Sequence, residues 1–118
     1  MGRFAQQRKR GGDNGAQPGL PAGPDFSHWS LSLSDGAATV TWLTDDSLPG
    51  TFWESRWRVP ALSMLWSASA DDPQPIGIEQ SQTSPFTYHA GQQQDCEVRY
   101  RQANGTPLSG WSGYQSLT

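Results

Sequence analysis

Between Phe26 and Leu117 the chain repeats with a period of two. Short apolar alternations, several of them anchored by tryptophan, are interrupted by Asp, Gly, Pro or Asn. This rhythm constrains the fold more than any other feature, because a side chain wanted inside at every second position is served by a half-buried strand and not by a helix. Ala38, Val40 and Trp42 point one way while Thr39 and Thr41 point the other. Trp53, Ser55, Trp57 and Val59 share a face opposite Glu54, Arg56 and Arg58. Cys96, Val98 and Tyr100 alternate with Glu97, Arg99 and Arg101. The candidate core is therefore Val40, Trp42, Trp53, Trp57, Cys96, Val98 and Tyr100.

Turn chemistry divides the remainder. Asp35-Gly36 and Asn104-Gly105 are tight-turn signals, and 45–50 reads as a loop. Residues 26–33 alternate weakly, and Pro60-Ala61 turns the chain into 62–69. An irregular polar loop is expected over 70–84, with one short strand near Ile76 to Ile78. A further strand starts at Phe86 to Tyr88, and the last runs from about Trp111 to Leu117. The expected fold is all-β, a seven-stranded antiparallel two-sheet sandwich. The 118 residues allow one such domain and no second core. Hydrophobic and charged residues, at 34% and 16%, are both sparse, which suits a turn-rich domain with a tail; six tryptophans argue against global disorder.

The tail is distinct. Residues 1–12 carry Arg3, Arg8, Lys9 and Arg10 with no acid, whereas 13–118 hold four arginines against all eleven acids, a balance of −7. Residues 11–25 contain five Gly and three Pro, with Leu20 their only large apolar side chain. The division expected is a basic arm over 1–12, a Gly/Pro-rich linker over 13–24 and a sandwich over 25–118. Ordering backbone costs roughly 1–2 kcal/mol per residue, so the first two dozen residues are expected to gain structure only from an outside partner. In that reading Phe4 anchors the arm and the four cations pair with acidic neighbours on an adjoining subunit. Nucleic acid is the weaker partner: neutralising at most four phosphates predicts a log–log salt slope near about −3.6, with no folded basic groove behind it.

Reactive chemistry is scarce. The single cysteine excludes an intrachain disulfide. No run approaches the ~18 apolar residues of a membrane span, the basic start is not followed by an apolar stretch, and the sixth residue is Gln where a myristoylation signal needs Ser or Thr. A soluble product made in the cytoplasm, without membrane contact, is expected. His28, in a first strand, and His89, at a strand end, read as surface or satisfied polar residues rather than catalysts. Gly110-Trp111-Ser112-Gly113-Tyr114 lacks the last Gly and the strand-to-helix setting of a nucleophile elbow. Asp45-Asp46 and Asp71-Asp72 read as solvated loop carboxylates. No enzyme activity, metal or cofactor is expected.

The stretch AATVTW (37–42), then WESRWRV (53–59), CEVRYRQANG (96–105) and SGWS (109–112) together resemble a fibronectin type III domain over about residues 24–118. A divergent immunoglobulin-like sandwich fits the same pattern. Cys96 falls where the family places its corner tyrosine, and Ala90 where a loop leucine would plug the core, so the bond made by that hydroxyl must be absent or replaced. In the resembled fold Glu54, Arg56 and Arg58 lie beside Glu97, Arg99 and Arg101 on one outer face, with Trp111 stacked on Arg99 or Arg101. This is similar to the Arg and Trp ladder of cytokine-receptor sandwiches, with half of their Trp-Ser-x-Trp-Ser motif present. Alternation does not place Trp29, Trp66 and Trp111 all inside, which leaves them as candidate ligand-facing aromatics for sugars. The resemblance implies a non-enzymatic structural or adhesion module. A signal-less small sandwich with a basic arm looks like an accessory virion protein that decorates the capsid or tail of a tailed bacteriophage. Its arm would bind other virion proteins and its sandwich would project outward, toward host-surface glycans. The alternative is a carbohydrate- or protein-binding module of a bacterial protein.

Overall fold

Strands that bury one face must pair with others that do the same. The computed structural model describes residues 20–34, 36–43, 51–76 and 80–118, together with the backbone of Gln6–Gln7. Nine strands occur among the described residues: β1 (Gln6–Gln7), β2 (Trp29–Ser34), β3 (Ala37–Trp42), β4 (Phe52–Arg58), β5 (Ser67–Ala68), β6 (Gln74–Pro75), β7 (Gln80–Thr87), β8 (Gln94–Arg101) and β9 (Gln115–Leu117). A 3-10 turn, Phe26–His28, precedes β2 and is capped by the Asp25 side chain, which accepts from the Ser27 N–H. Every pairing is antiparallel. One sheet runs β1-β9-β8-β4-β5 with β6 also on β4, and the other runs β2-β3-β7. The chain is thus all-β with two antiparallel sheets. Nine strands replace the expected seven because β1 and β6 add two-residue ladders too short to carry a pattern.

The core lies between the sheets. Trp29, Trp42, Trp53 and Trp57 are essentially excluded from solvent, with Leu31, Val40, Cys96, Val98 and Leu117 around them. The rings of Trp42 and Trp53 stack at 5.3 Å between centroids, and Tyr100 meets Trp42 edge-on at 5.7 Å. Each buried indole removes on the order of 200 Å² from water, about 5 kcal/mol of transfer free energy at most, so these four rings dominate the drive to fold. Trp29 is correspondingly not ligand-facing. Trp-Ser-Leu-Ser-Leu-Ser puts Trp29 and Leu31 on one face of β2, and the register of β2 with β3 sets Trp29 opposite Trp42.

Gln80–Thr87 forms one strand on β3, where an irregular loop and a separate strand at Phe86 were expected. Its inward positions include Gln82 and Ser84, both buried, so hydropathy hides the alternation. The Gln82 carboxamide acts as a piece of ladder. Its Oε1 accepts from the Ser55 N–H at 3.0 Å and the Ser55 hydroxyl at 2.7 Å, while its Nε2 donates to the Trp53 carbonyl at 3.2 Å. It thereby ties the two sheets together where β6 has left β4 and β5 has yet to join it. A short strand occurs at Gln74–Pro75, followed by the buried Ile76; the rest of the strand expected near Ile76 to Ile78 lies outside the described residues. The turn from β7 to β8 is held by Gln94, whose Nε2 donates to the Thr87 carbonyl and whose Oε1 accepts from Ser84.

Only Ser67–Ala68 of 62–69 pairs, and the final strand starts at Gln115 rather than near Trp111. The reason at the second place is chemical. The Ser112 and Ser109 hydroxyls accept from the Val98 and Tyr100 N–H groups at 3.1 Å each, so side-chain oxygens substitute for part of a backbone ladder and 109–114 need not be a strand. Asn104-Gly105 turns as expected, with Gly105 at φ +100° and its N–H on the Gln102 carbonyl. The loop expected over 45–50, including Asp45 and Asp46, lies outside the described residues, as does Asp35.

The tail differs from expectation at both ends. Gln6 and Gln7 pair with Ser116 and Gln115, so at these two positions the arm finds a partner in its own sheet. Arg3, Phe4, Arg8, Lys9 and Arg10 lie outside the described residues. The end of the expected linker packs on the domain: the Pro21 carbonyl accepts from the Gly110 N–H at 2.9 Å. A Cβ on Gly23 would sit 2.6 Å from the Gly110 oxygen and 2.7 Å from the Ser112 nitrogen, so only glycine allows this approach.

Candidate functional site

The outer face of β4 and β8 gathers the charged residues. Antiparallel register sets Glu54 opposite Arg99, Arg56 opposite Glu97 and Arg58 opposite Asp95. Arg56 Nε donates to Glu97 at 2.7 Å, Arg58 Nε to Asp95 at 2.8 Å and Arg99 Nε to Glu54 at 2.6 Å. Arg101, one pair further along, reaches the other oxygen of Glu54 at 3.0 Å. The Arg58–Asp95 pair is the most secluded, with side chains only 9% and 1% exposed. Asp95 also accepts from Ser116 and Gln93.

Aromatic rings lie between the guanidinium groups. Trp111, swung over the sheet by 109–114, is 4.1 Å from the Arg56 guanidinium and 4.3 Å from that of Arg99. Trp66 lies 4.8 Å from Arg56 and 4.2 Å from Arg58, and Tyr114 lies 4.9 Å from Arg58. The sequence Arg99, Trp111, Arg56, Trp66, Arg58, Tyr114 is thus a continuous cation–π ladder laid across the ion pairs. Each contact is worth about 0.5–1 kcal/mol exposed and about 2 kcal/mol when desolvated. Burial pushes the Arg56 guanidinium below its usual range, and the Glu97 carboxylate opposes that shift.

The expected ladder residues Glu54, Arg56, Arg58, Glu97, Arg99, Arg101 and Trp111 therefore come together, with Trp111 over Arg56 and Arg99 rather than Arg101. Three members escaped the sequence: Asp95, hidden at the start of β8, and the rings of Trp66 and Tyr114. Tyr114 stands three residues after Trp111, the spacing of the second tryptophan in Trp-Ser-x-Trp-Ser, and that was the available signal.

A cleft of about 210 Å³ opens beside the ladder, lined in part by Glu54, Trp66, Ala68, Arg99 and Trp111. Trp66 and Trp111 are half-buried, and each carries two guanidinium groups against its ring. Those cations lie against rings on which a pyranose would have to stack. Trp29, the third candidate, is in the core.

Burial drives the Cys96 thiol well above its ordinary pKa, and the adjacent Glu97 and Asp95 charges act in the same direction, so the sulfur is protonated and inert at neutral pH. His28 lies on the Asp25 carboxylate and stacks on Trp42, and His89 is exposed. Asp71 accepts from the Thr83 N–H at 2.7 Å, covering the edge of β7. Among the described residues no group of three or more His, Cys, Asp or Glu is placed to hold a metal, and no helix is long and apolar enough to cross a membrane. In comparisons with known proteins, no family model, curated protein or solved structure matches the chain.

Proposed function

We propose that this chain is a non-enzymatic structural module, a fibronectin type III-like sandwich that serves as an accessory protein of a tailed bacteriophage particle. In this reading the basic arm holds it to capsid or tail proteins and the sandwich projects outward, placing the chain in the virion after synthesis in the host cytoplasm. One observation carries the structural role: the four arginines and three acids of the outer face are committed to one another and to the rings between them. Groups so engaged are held by one another rather than left poised for acid–base or nucleophilic work.

Strand order supports the family reading. β2, β3 and β7 form one sheet while β4, β8 and β9 belong to the other, the division of strands A, B, E from C, F, G in immunoglobulin-class sandwiches. The particle assignment rests on the charge contrast between arm and body. Its test is a chain with Arg3→Ala, Arg8→Ala, Lys9→Ala and Arg10→Ala, which leaves Gln6–Gln7 in place for β9. Particles assembled with this variant should lack the protein that the parent chain contributes, while its melting temperature stays that of the parent. Unchanged incorporation, or absence of the parent chain from purified particles, overturns the assignment.

A further inference from the structure

All four arginines of residues 13–118 stand in the ladder of the outer face, and no other lysine or arginine occurs on that acidic body. They meet three carboxylates: Arg56 is paired with Glu97 and Arg58 with Asp95, while Arg99 and Arg101 share Glu54. Four cations against three anions leave one positive charge over, at the end of the ladder where Glu54 serves two partners. A guanidinium is weakly hydrated and its fork matches a carboxylate, so a surplus one in a half-buried place favours an anion.

The unspent donors belong to side chains that line the cleft. Arg101 uses all three of its nitrogens, Nη1 on Glu54 and Nε and Nη2 on the carbonyls of Gln102 and Ala103. Arg99 donates only from Nε, to Glu54, and Arg56 from Nε and Nη2, to Glu97. Both Nη groups of Arg99 and the Nη1 of Arg56 thus have no acceptor among the described residues. Arg56 and Arg99 line the cleft of about 210 Å³ together with Glu54, Trp66, Ala68 and Trp111. Antiparallel register sets Ala68 across from Arg56, so a methyl group is all that β5 offers beside that guanidinium.

We propose that this cleft binds a carboxylate, held by Arg99 and Arg56, which supplies the fourth anion of the ladder. One surplus charge calls for a monoanion, and Glu54 in the same lining repels any further negative charge, which disfavours phosphate and sulfate. The indoles of Trp66 and Trp111 give the lining an apolar part, suited to the short aliphatic stem that carries a carboxylate. The charge balance of the ladder carries this whatever particle the chain belongs to.

The probe is the blocked peptide acetyl-Gly-Glu-Gly-amide, titrated to ~10 mM against the full chain while the Trp111 indole N–H and the Arg99 Nε–H are followed by NMR. Both resonances should move and saturate, and the same peptide with Gln in place of Glu should leave them still. Acetate as a second titrant separates the sources and upholds the site either way: binding as tight as the peptide's shows that a free carboxylate suffices, and weaker binding assigns the site to an acidic side chain of a protein. Arg99→Gln should weaken the peptide at least about tenfold. Ala68→Glu builds the carboxylate into the chain itself, at an exposed position, and should melt at least about 2 °C above Ala68→Gln. Resonances that stay still with the Glu peptide, or move as far with the Gln peptide, overturn the proposal. So does an Arg99→Gln chain that binds as the parent does, or an Ala68→Glu chain that melts no higher than Ala68→Gln.

Discussion

Removing the Gln82 carboxamide isolates what a polar side chain does inside a tryptophan-rich core. Gln82 is fully buried, as is its partner Ser55. In Gln82→Ala the Ser55 N–H and the Trp53 carbonyl both lose the partner seen at 3.0 and 3.2 Å. Each orphaned buried group costs about 1–3 kcal/mol, giving about 2–6 kcal/mol before any cavity is counted. That is a large part of the roughly 5–15 kcal/mol that holds a domain of this size together. Gln82→Met separates polarity from volume, because methionine fills nearly the same space without bonding either group. If the amide completes the ladder, Gln82→Met should still lose about 3 kcal/mol, moving the urea midpoint down by about 2 M at an m-value of about 1.5 kcal/mol/M. If it only fills space, a volume-conserving exchange costs less than about 1.5 kcal/mol. Urea unfolding followed by tryptophan fluorescence decides this. A Gln82→Met protein within about 1 kcal/mol of the parent refutes the ladder role.

Other perturbations address the ladder, its support and the thiol. Arg58→Ala leaves Asp95 charged and buried, and should cost about 3–5 kcal/mol in urea unfolding, whereas Arg101→Ala, on a partly exposed pair, should cost less than about 1 kcal/mol. Gly23→Ala drives a Cβ into the backbone of Gly110 to Ser112 and should lower stability by about 1–3 kcal/mol while shifting the Trp111 indole resonance. Because the folded-state pKa of Cys96 is raised, its contribution is complete below the unfolded value of about 8.5 and is lost as pH rises beyond it. Stability should thus fall in alkaline solution, with a shallower fall in Cys96→Ala, and the native thiol should resist a thiol-titrating reagent until the chain unfolds.

Much of this arrangement could be read from residue types, and the failures have identifiable causes. Strict alternation in β3, β4 and β8 is enough to put Trp42, Trp53, Trp57 and Val98 inside and Glu54, Arg56 and Arg99 outside, because a strand turns every second side chain to the same face. Which acid meets which arginine depends on register, which is set by pairing across some forty residues and is invisible locally. Asp95 escaped for that reason. β7 escaped because its inward side chains include an amide and a hydroxyl whose partners lie on other strands. The late start of β9 has the same kind of origin, since Ser109 and Ser112 accept from β8 through their side chains. Trp29 stood as a candidate ligand-facing ring because alternation over 26–33 is weak, although Trp29 and Leu31 share a phase in the sequence.

The outer face of β4 and β8 is closed upon itself, its arginines paired with acids and stacked on rings. Arginine side-chain Nε–H resonances report on this directly. Arg56, Arg58 and Arg99 should give dispersed, slowly exchanging signals, each displaced by the ring current of a neighbouring Trp66, Trp111 or Tyr114 and returned to ordinary values when that ring is replaced. Fast-exchanging resonances at unstructured positions, unaffected by Trp66→Ala or Trp111→Ala, would contradict it.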